Sequence, residues 1–428
     1  MAGTAVVASG NYDLEIDTGF IQNAFLLDDA TAGKLDNTQY VLNGTTDFAS
    51  VLDGVNSITV KRGRRDQGDQ FSAGTMSFTM LDTAGIFNPF DENSPYYDTA
   101  QAQPGLAPMR RVRLSRYSSL NVKEYLFVGV IVNYDYNFAL GGLDTVTVYC
   151  ADDFYLLAQT FMAEFNVSEE LSSARLTAVL DLPEVDFPIG QRNISTGTQT
   201  LGGASAFTVA EGTNTLDYCN QINLAEQGRL FMARDGDLTF QPRIGNTLSQ
   251  PVADFHDDGT NVPYDSIGIT FEADQVVNRA AVAIRGGTQE VAEDLASQTK
   301  YFIQTTSITD SLLHSDPAAL ALANYLLEPE PEARYTSLGT NLNKLTTAQR
   351  DTVAVIDIGD TITIQKQFAS GTGTTQLAQE LAVEGVEHTI TVSGGHSVMY
   401  FTSPTTIVYE LILDDLSFGI INADNVLG

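Results

Sequence analysis

Polar and apolar positions alternate through Thr75-Met76-Ser77-Phe78-Thr79-Met80, which puts Met76, Phe78 and Met80 on one face of a strand and the hydroxyls on the other. Apolar runs at 57–60, 111–114, 125–132 and 145–150 predict further strands. Gly141-Gly142 separates the last two as a hairpin turn. The period then changes. Residues 168–180 carry helical spacing and stop before Pro183, and Asn214 caps a second helix through Gln227, with Gly228 as its stop. Arg234-Asp235-Gly236-Asp237 predicts a tight hairpin between strands at 230–232 and 238–240. Strands resume at 267–271, 280–284, 301–305, 360–364, 382–386, 389–392 and 399–401. One helix interrupts them over 318–327, with Asp316 as its cap, Pro317 in its first turn and a break at Pro329.

This pattern predicts a mainly β protein with an α/β subdomain. The order is an N-terminal extended arm (1–49), a first β domain (50–158), an inserted α/β domain (159–245), a second β domain with one helix (246–405) and a C-terminal arm (406–428). The two arms share a short repeat. Leu27-Asp28-Asp29-Ala30-Thr31-Ala32-Gly33 matches Leu413-Asp414-Asp415-Leu416-Ser417-Phe418-Gly419, and each is followed by an apolar pair closing on glycine. Asp28, Asp29, Asp414 and Asp415 are therefore interface candidates on arms that clip onto equivalent surfaces; the alternative is two unrelated strand-turn segments.

Charge narrows the class. With 22 Lys and Arg against 54 Asp and Glu, the formal net charge is −32. General nucleic-acid binding needs clustered cations and is disfavoured, as is attraction to an anionic membrane. Only 18% of residues are charged and 43% are hydrophobic, so the chain is not an acidic disordered tail. The length of 428 residues suits about three domains. No basic N-region precedes an apolar run and no stretch reaches a membrane span, so the expectation is a chain assembled in the cytoplasm without membrane insertion. Cys150 and Cys219 are expected reduced and packed inside.

A search for chemistry finds little. His256, His314, His388 and His396 form no H-E-x-x-H arrangement and no zinc spacing with either cysteine, although His388 and His396 flank a strand pair and can approach each other. Nucleophile elbows and phosphate-cradling glycine loops are missing. Asp152-Asp153, Asp257-Asp258 and Asp414-Asp415 fit no twelve-residue calcium loop and read as solvated acids. The expectation is no enzyme, no cofactor and no metal.

The basic residues are more telling. Lys61, Arg62, Arg64 and Arg65 form one cluster, and Arg110, Arg111, Arg113 and Arg116 form another, so eight of the 22 bases stand in one predicted domain. Three readings stay open: a solvated face, charge complementarity with acidic neighbours in an assembly, and contact with passing nucleic acid.

Several segments resemble one family. These are Ile58-Thr59-Val60-Lys61-Arg62-Gly63-Arg64, Phe71-Ser72-Ala73-Gly74-Thr75 and Gly85-Ile86-Phe87-Asn88-Pro89, followed by Leu126-Phe127-Val128-Gly129-Val130-Ile131 and the Ala151-Asp152-Asp153 strand end. Further along come 226–231, 235–240, Asp357-Ile358-Gly359-Asp360 and Val383-Glu384-Gly385-Val386-Glu387-His388. In this order they resemble the tail hub (minor tail or baseplate hub) proteins of long non-contractile-tailed bacteriophages, over residues 50–405. The chain departs from the family in having no Trp and in the length of its N-terminal arm.

The resemblance implies two tail-tube-like β-barrel domains and a homotrimer whose six barrels adapt a sixfold tube to a threefold tip and line the DNA ejection channel. Implied partners are the distal tail ring protein, the tape-measure protein and tail fibre or other tip proteins, with transient genomic DNA in the lumen. The implied location is the tail tip of the virion. An acidic wall suits such a channel, because it repels phosphates instead of holding them. Other readings are a tail-tip glycan-binding or depolymerising protein and a hexameric distal-tail or tube protein.

Overall fold

A computed structural model describes residues 12–22, 27, 33–34, 45–65, 69–83, 85–99, 102–205, 207–243, 250–370, 373–405, 409–410 and 425–426. The repeat acids Asp28, Asp29, Asp414 and Asp415 lie outside the described residues.

The first β unit contains β1 (Tyr12–Gln22), β2 (Thr45–Ser50), β3 (Val55–Gly63), β4 (Thr75–Leu81), β5 (Arg111–Tyr117), β6 (Lys123–Asn137) and β7 (Thr145–Ala151). They pair antiparallel in the order β2-β1-β5-β6-β7-β4-β3. The alternation in β4 does what its sequence predicts: Met76, Phe78 and Met80 are all buried. They share a core with Leu14, Val112, Leu114 and Phe127. Burying one such side chain contributes about 1.5–3 kcal/mol.

Helices α1 (Phe154–Gln159), α2 (Ser172–Leu180) and α3 (Thr215–Glu226) follow, with β8 (Arg229–Met232) and β9 (Leu238–Gln241) as an antiparallel hairpin. Helix α2 begins four residues later than its periodicity suggests, because Glu170 and Leu171 pair as a strand with Thr200 and Leu201. Asn214 caps α3 as expected, its side chain accepting from Asp217 N at 3.1 Å. The left-handed stop is Gln227 (φ 55°), one residue before the expected Gly228.

The second β unit contains β10 (Pro251–His256), β11 (Ser266–Thr270), β12 (Arg279–Ile284), β13 (Gln289–Glu293), α4 (Leu295–Tyr301), β14 (Thr305–Ser311) and α5 (Asp316–Tyr325). β15 (Arg334–Asn341), α6 (Thr347–Val353), β16 (Thr361–Ser370), β17 (Gly373–Thr391) and β18 (Gly395–Pro404) complete it. The strand expected at 301–305 is instead the end of α4, a connector and only the first residue of β14. Asp294 caps this helix by accepting from Ser297 N at 2.8 Å, and the capped turn outweighs the strand preference of Tyr301 and Phe302. The N-cap of α5 is Ser315, which leaves Asp316 and Pro317 in the first turn. The strands expected at 382–386 and 389–392 are parts of the single long strand β17.

The two β units are joined edge to edge. β17 pairs antiparallel with β3 through seven residue pairs, from Gly385↔Gly63 to Thr391↔Ser57. One 13-stranded sheet results, running β2-β1-β5-β6-β7-β4-β3-β17-β18-β15-β11, with β16 on β17 and β10 parallel to β16. Ile390 of β17 even contributes to the core of the first unit. The second core runs from the α helices into the second β unit, so α/β insert and second unit share one hydrophobic interior.

Candidate functional site

The join between β3 and β17 is where the predicted basic residues meet their acids. Two glycines allow the close crossing. Gly63 has φ +85°, and a Cβ there would lie 2.3 Å from the Glu384 carbonyl. A Cβ on Gly385 would lie 2.5 Å from the Arg64 carbonyl. Between the glycines, Arg64 N donates to the Glu384 carbonyl at 2.9 Å. The β17–β18 register shifts between Val383 and Gly385, so Glu384 is the extra residue of a bulge.

Glu384 is fully buried. Its carboxylate accepts from Arg64 Nε at 2.9 Å, from Ser403 Oγ at 2.6 Å and from the guanidinium of Arg229 on β8. Burial alone would raise its pKa, but the Arg229 and Arg64 charges prevail and hold it at about 2. Three parts of the chain thus converge on one carboxylate.

The neighbouring pairs repeat the theme. Arg62, 5% exposed, donates from Nη1 to Asp357 Oδ1 at 2.7 Å, while its Nε and Nη2 have no partner. Arg116, 3% exposed, pairs with Asp351 and donates to the Arg350 carbonyl at 3.0 Å. Lys61 reaches Glu387 at 3.2 Å from an exposed position. Arg234 of the β8–β9 hairpin donates through its backbone N–H to Asp357 Oδ2 at 2.8 Å and through Nη1 to the Tyr125 carbonyl at 2.9 Å. Burial, reinforced by the Asp357 charge, pushes Asp360 up to about 6.

Behind this layer His388 and His396 meet, Nδ1 to Nε2 at 3.0 Å, and Tyr12 Oη lies 2.7 Å from His396 Nδ1. Both imidazoles are buried. Burial, with Arg116 nearby, lowers His396 to about 3, and burial with the neighbouring imidazole, Arg62 and Arg234 holds His388 well below its ordinary value. The pair is therefore neutral at ordinary pH and ties β1 to β17 and β18.

The other predicted basic residues are placed differently. Arg65 stacks over Phe401 at 5.1 Å, which also crosses the join. Arg110 donates to the Gly105 carbonyl at 3.0 Å, Arg111 pairs with Asp153, and Arg113 covers the Phe48 ring at 3.3 Å, all inside the first unit. The acidic half of the junction (Asp351, Asp357, Glu384, Glu387) was not singled out from the sequence as a site. Three of these four lie within the Asp357-Ile358-Gly359-Asp360 and Val383–His388 segments that carried the resemblance. Among the described residues, no group of three or more His, Cys, Asp or Glu is arranged to hold a metal ion, and no helix is long and apolar enough to cross a membrane.

No protein-family model matches the chain, and no curated protein matches it in sequence. Solved structures do. A tail protein from Neisseria meningitidis MC58 superposes with a TM-score of 0.57 at 12% identity, over 93% of this chain and 99% of the other. The 43 kDa tail protein of prophage MuSo2 from Shewanella oneidensis gives a TM-score of 0.52 at 10% identity, over 84% of this chain and 95% of the other. At such identities the likeness establishes the fold: a mainly β, tail-tube-like architecture with few helices, shared along almost the whole chain.

Proposed function

We propose that the chain is a structural, non-catalytic protein of a phage-type tail, acting as the trimeric hub at the tail tip. The fold neighbours are tail proteins by description, which supports the class. The observation that carries the finer reading is the join itself. One chain holds two β units fused through the β3–β17 ladder, with buried charge pairs fixing their register. Three such chains supply six units, the number needed to meet a sixfold tube while presenting threefold symmetry to the tip. The terminal strands of the sheet path, β2 and β11, each pair on one side only among the described residues, and they offer the edges for joining neighbouring copies.

In this reading the surplus acid faces a lumen that genomic DNA crosses without being held, since phosphates are repelled by it. The distal tail ring, the tape measure and the fibres or other tip proteins are its partners, and no part of the chain inserts in a membrane. The mass of the assembled particle tests the proposal. Three copies support it; six copies reassign the chain to the distal ring or tube. Cryo-electron microscopy that located the chain away from the tail tip would also overturn it.

A further inference from the structure

Asp152, which reads as a solvated acid in the sequence, is 3% exposed at the end of β7. Its Oδ2 accepts from Gly74 N at 2.7 Å and its Oδ1 from Phe154 N at 3.1 Å, but it has no ion-pair partner among the described residues. Burial pushes its pKa up to about 8, against the pull of those two N–H groups and of Arg62, so at neutral pH it keeps its proton. Arg62 shows the complementary lack. Its Nη1 holds Asp357, while Nε and Nη2 have no partner. Gly74 lies between the two side chains. A Cβ there would lie 2.6 Å from Asp152 Oδ2 and 2.9 Å from Arg62 Cγ. Its φ is not positive, so the glycine is needed for space and not for conformation: it keeps the gap between guanidinium stem and carboxyl open. Around this gap stand Asp153, paired with Arg111, and across the join Asp360, Arg234 and the neutral His388.

We propose that Arg62 is a two-position latch on the join between the β units. In the arrangement seen it holds Asp357 of the second unit. In the other it turns through the gap at Gly74 onto Asp152 of its own unit. The second position ionises Asp152, whose proton leaves to solvent. Asp357 is then held by the backbone N–H groups of Arg234 and Ile358. An ion pair between the units is exchanged for one within the first unit, so neither position leaves the guanidinium without a counter-charge. The lock on the register loosens at this point, while the Glu384 and Arg116 pairs remain. Because the second position needs Asp152 without its proton, raising the pH through about 8 favours it.

The test reads the carboxylic-acid C=O band of Asp152 in the infrared spectrum of the full chain at neutral pH. In every background the band is assigned as the part that Asp152→Asn removes. The unmodified chain is expected to show it. Asp357→Asn takes away the acid that holds Arg62, and the band is expected to be lost as Arg62 turns onto Asp152. Arg62→Met combined with Asp357→Asn is expected to restore the band, which a loss of the fold would not do. A band that survives Asp357→Asn would overturn the proposal, because Arg62 would then have no second position. So would a band that stays lost in the double variant, or an unmodified chain from which Asp152→Asn removes nothing.

Discussion

Residues 50–158, the first β unit apart from β1 and most of β2, carry nine basic and twelve acidic residues, whereas 246–405, the second unit, carry seven and twenty. Both build their strands by the same alternation of apolar and polar positions, and both bury aliphatic and aromatic side chains. What differs is where charge goes. The first unit exports guanidinium groups across the join: Arg62 to Asp357, Arg64 to Glu384 and Arg116 to Asp351. The second unit receives them on acids that its own few bases do not neutralise. The complementarity expected between molecules is met for these residues within one molecule. It fixes the register of two units that apolar packing alone would hold less selectively.

Removing the central acceptor is the strongest way to break this comparison. Glu384→Ala leaves Arg64 and Arg229 facing each other without a counter-charge, and urea unfolding should report a loss of about 3–5 kcal/mol. Arg116→Met should cost about 2–4 kcal/mol in the same measurement, since Asp351 loses its counter-charge and keeps only the Ser119 N–H as donor. Arg62→Met should cost less than Arg116→Met, because two of its nitrogens are already unpartnered.

The pH dependence separates the acids. Glu384 is held below its ordinary value of 4.5, so its contribution is complete above pH 4.5 and is lost as pH falls toward about 2. Asp360 behaves oppositely. Its folded value near 6 stands above the ordinary 3.8, so the folded state takes up a proton there, and relative stability falls as pH rises from 3.8 through 6. Asp360→Asn should therefore stabilise the chain by about 1–3 kcal/mol at pH 7 and by almost nothing at pH 3.5, measured by denaturant titration at both values. The smallest effect is expected at the exposed end of the join. Lys61→Ala should change stability by no more than about 0.5 kcal/mol, and a larger loss would show that the Lys61–Glu387 pair is not screened as its exposure implies.

Much of the fold was legible in the sequence because its signals are local. Met76, Phe78 and Met80 announce their shared face by spacing two residues apart, and Asn214 announces a helix start by its side-chain oxygen. The misses have equally physical causes. Tyr301 carries strand preference, yet Asp294 seven residues earlier had already committed the segment to a helix. Gln227 takes the left-handed stop although a glycine follows it. The site was half legible. The bases stood out because they are few and clustered, whereas their acids were hidden among 54.

By itself the sequence determined most of the β and helix elements, the excess of acid and the two groups of bases, since each rests on residues near one another along the chain. The tertiary structure alone decided that β3 and β17 lie side by side, more than 300 residues apart, that Glu384 turns inward at a bulge, and that Tyr12, His396 and His388 form one hydrogen-bonded file. Those contacts depend on the closure of long loops and on the burial of charge. A charge shows in the sequence, but its burial is set by everything packed around it.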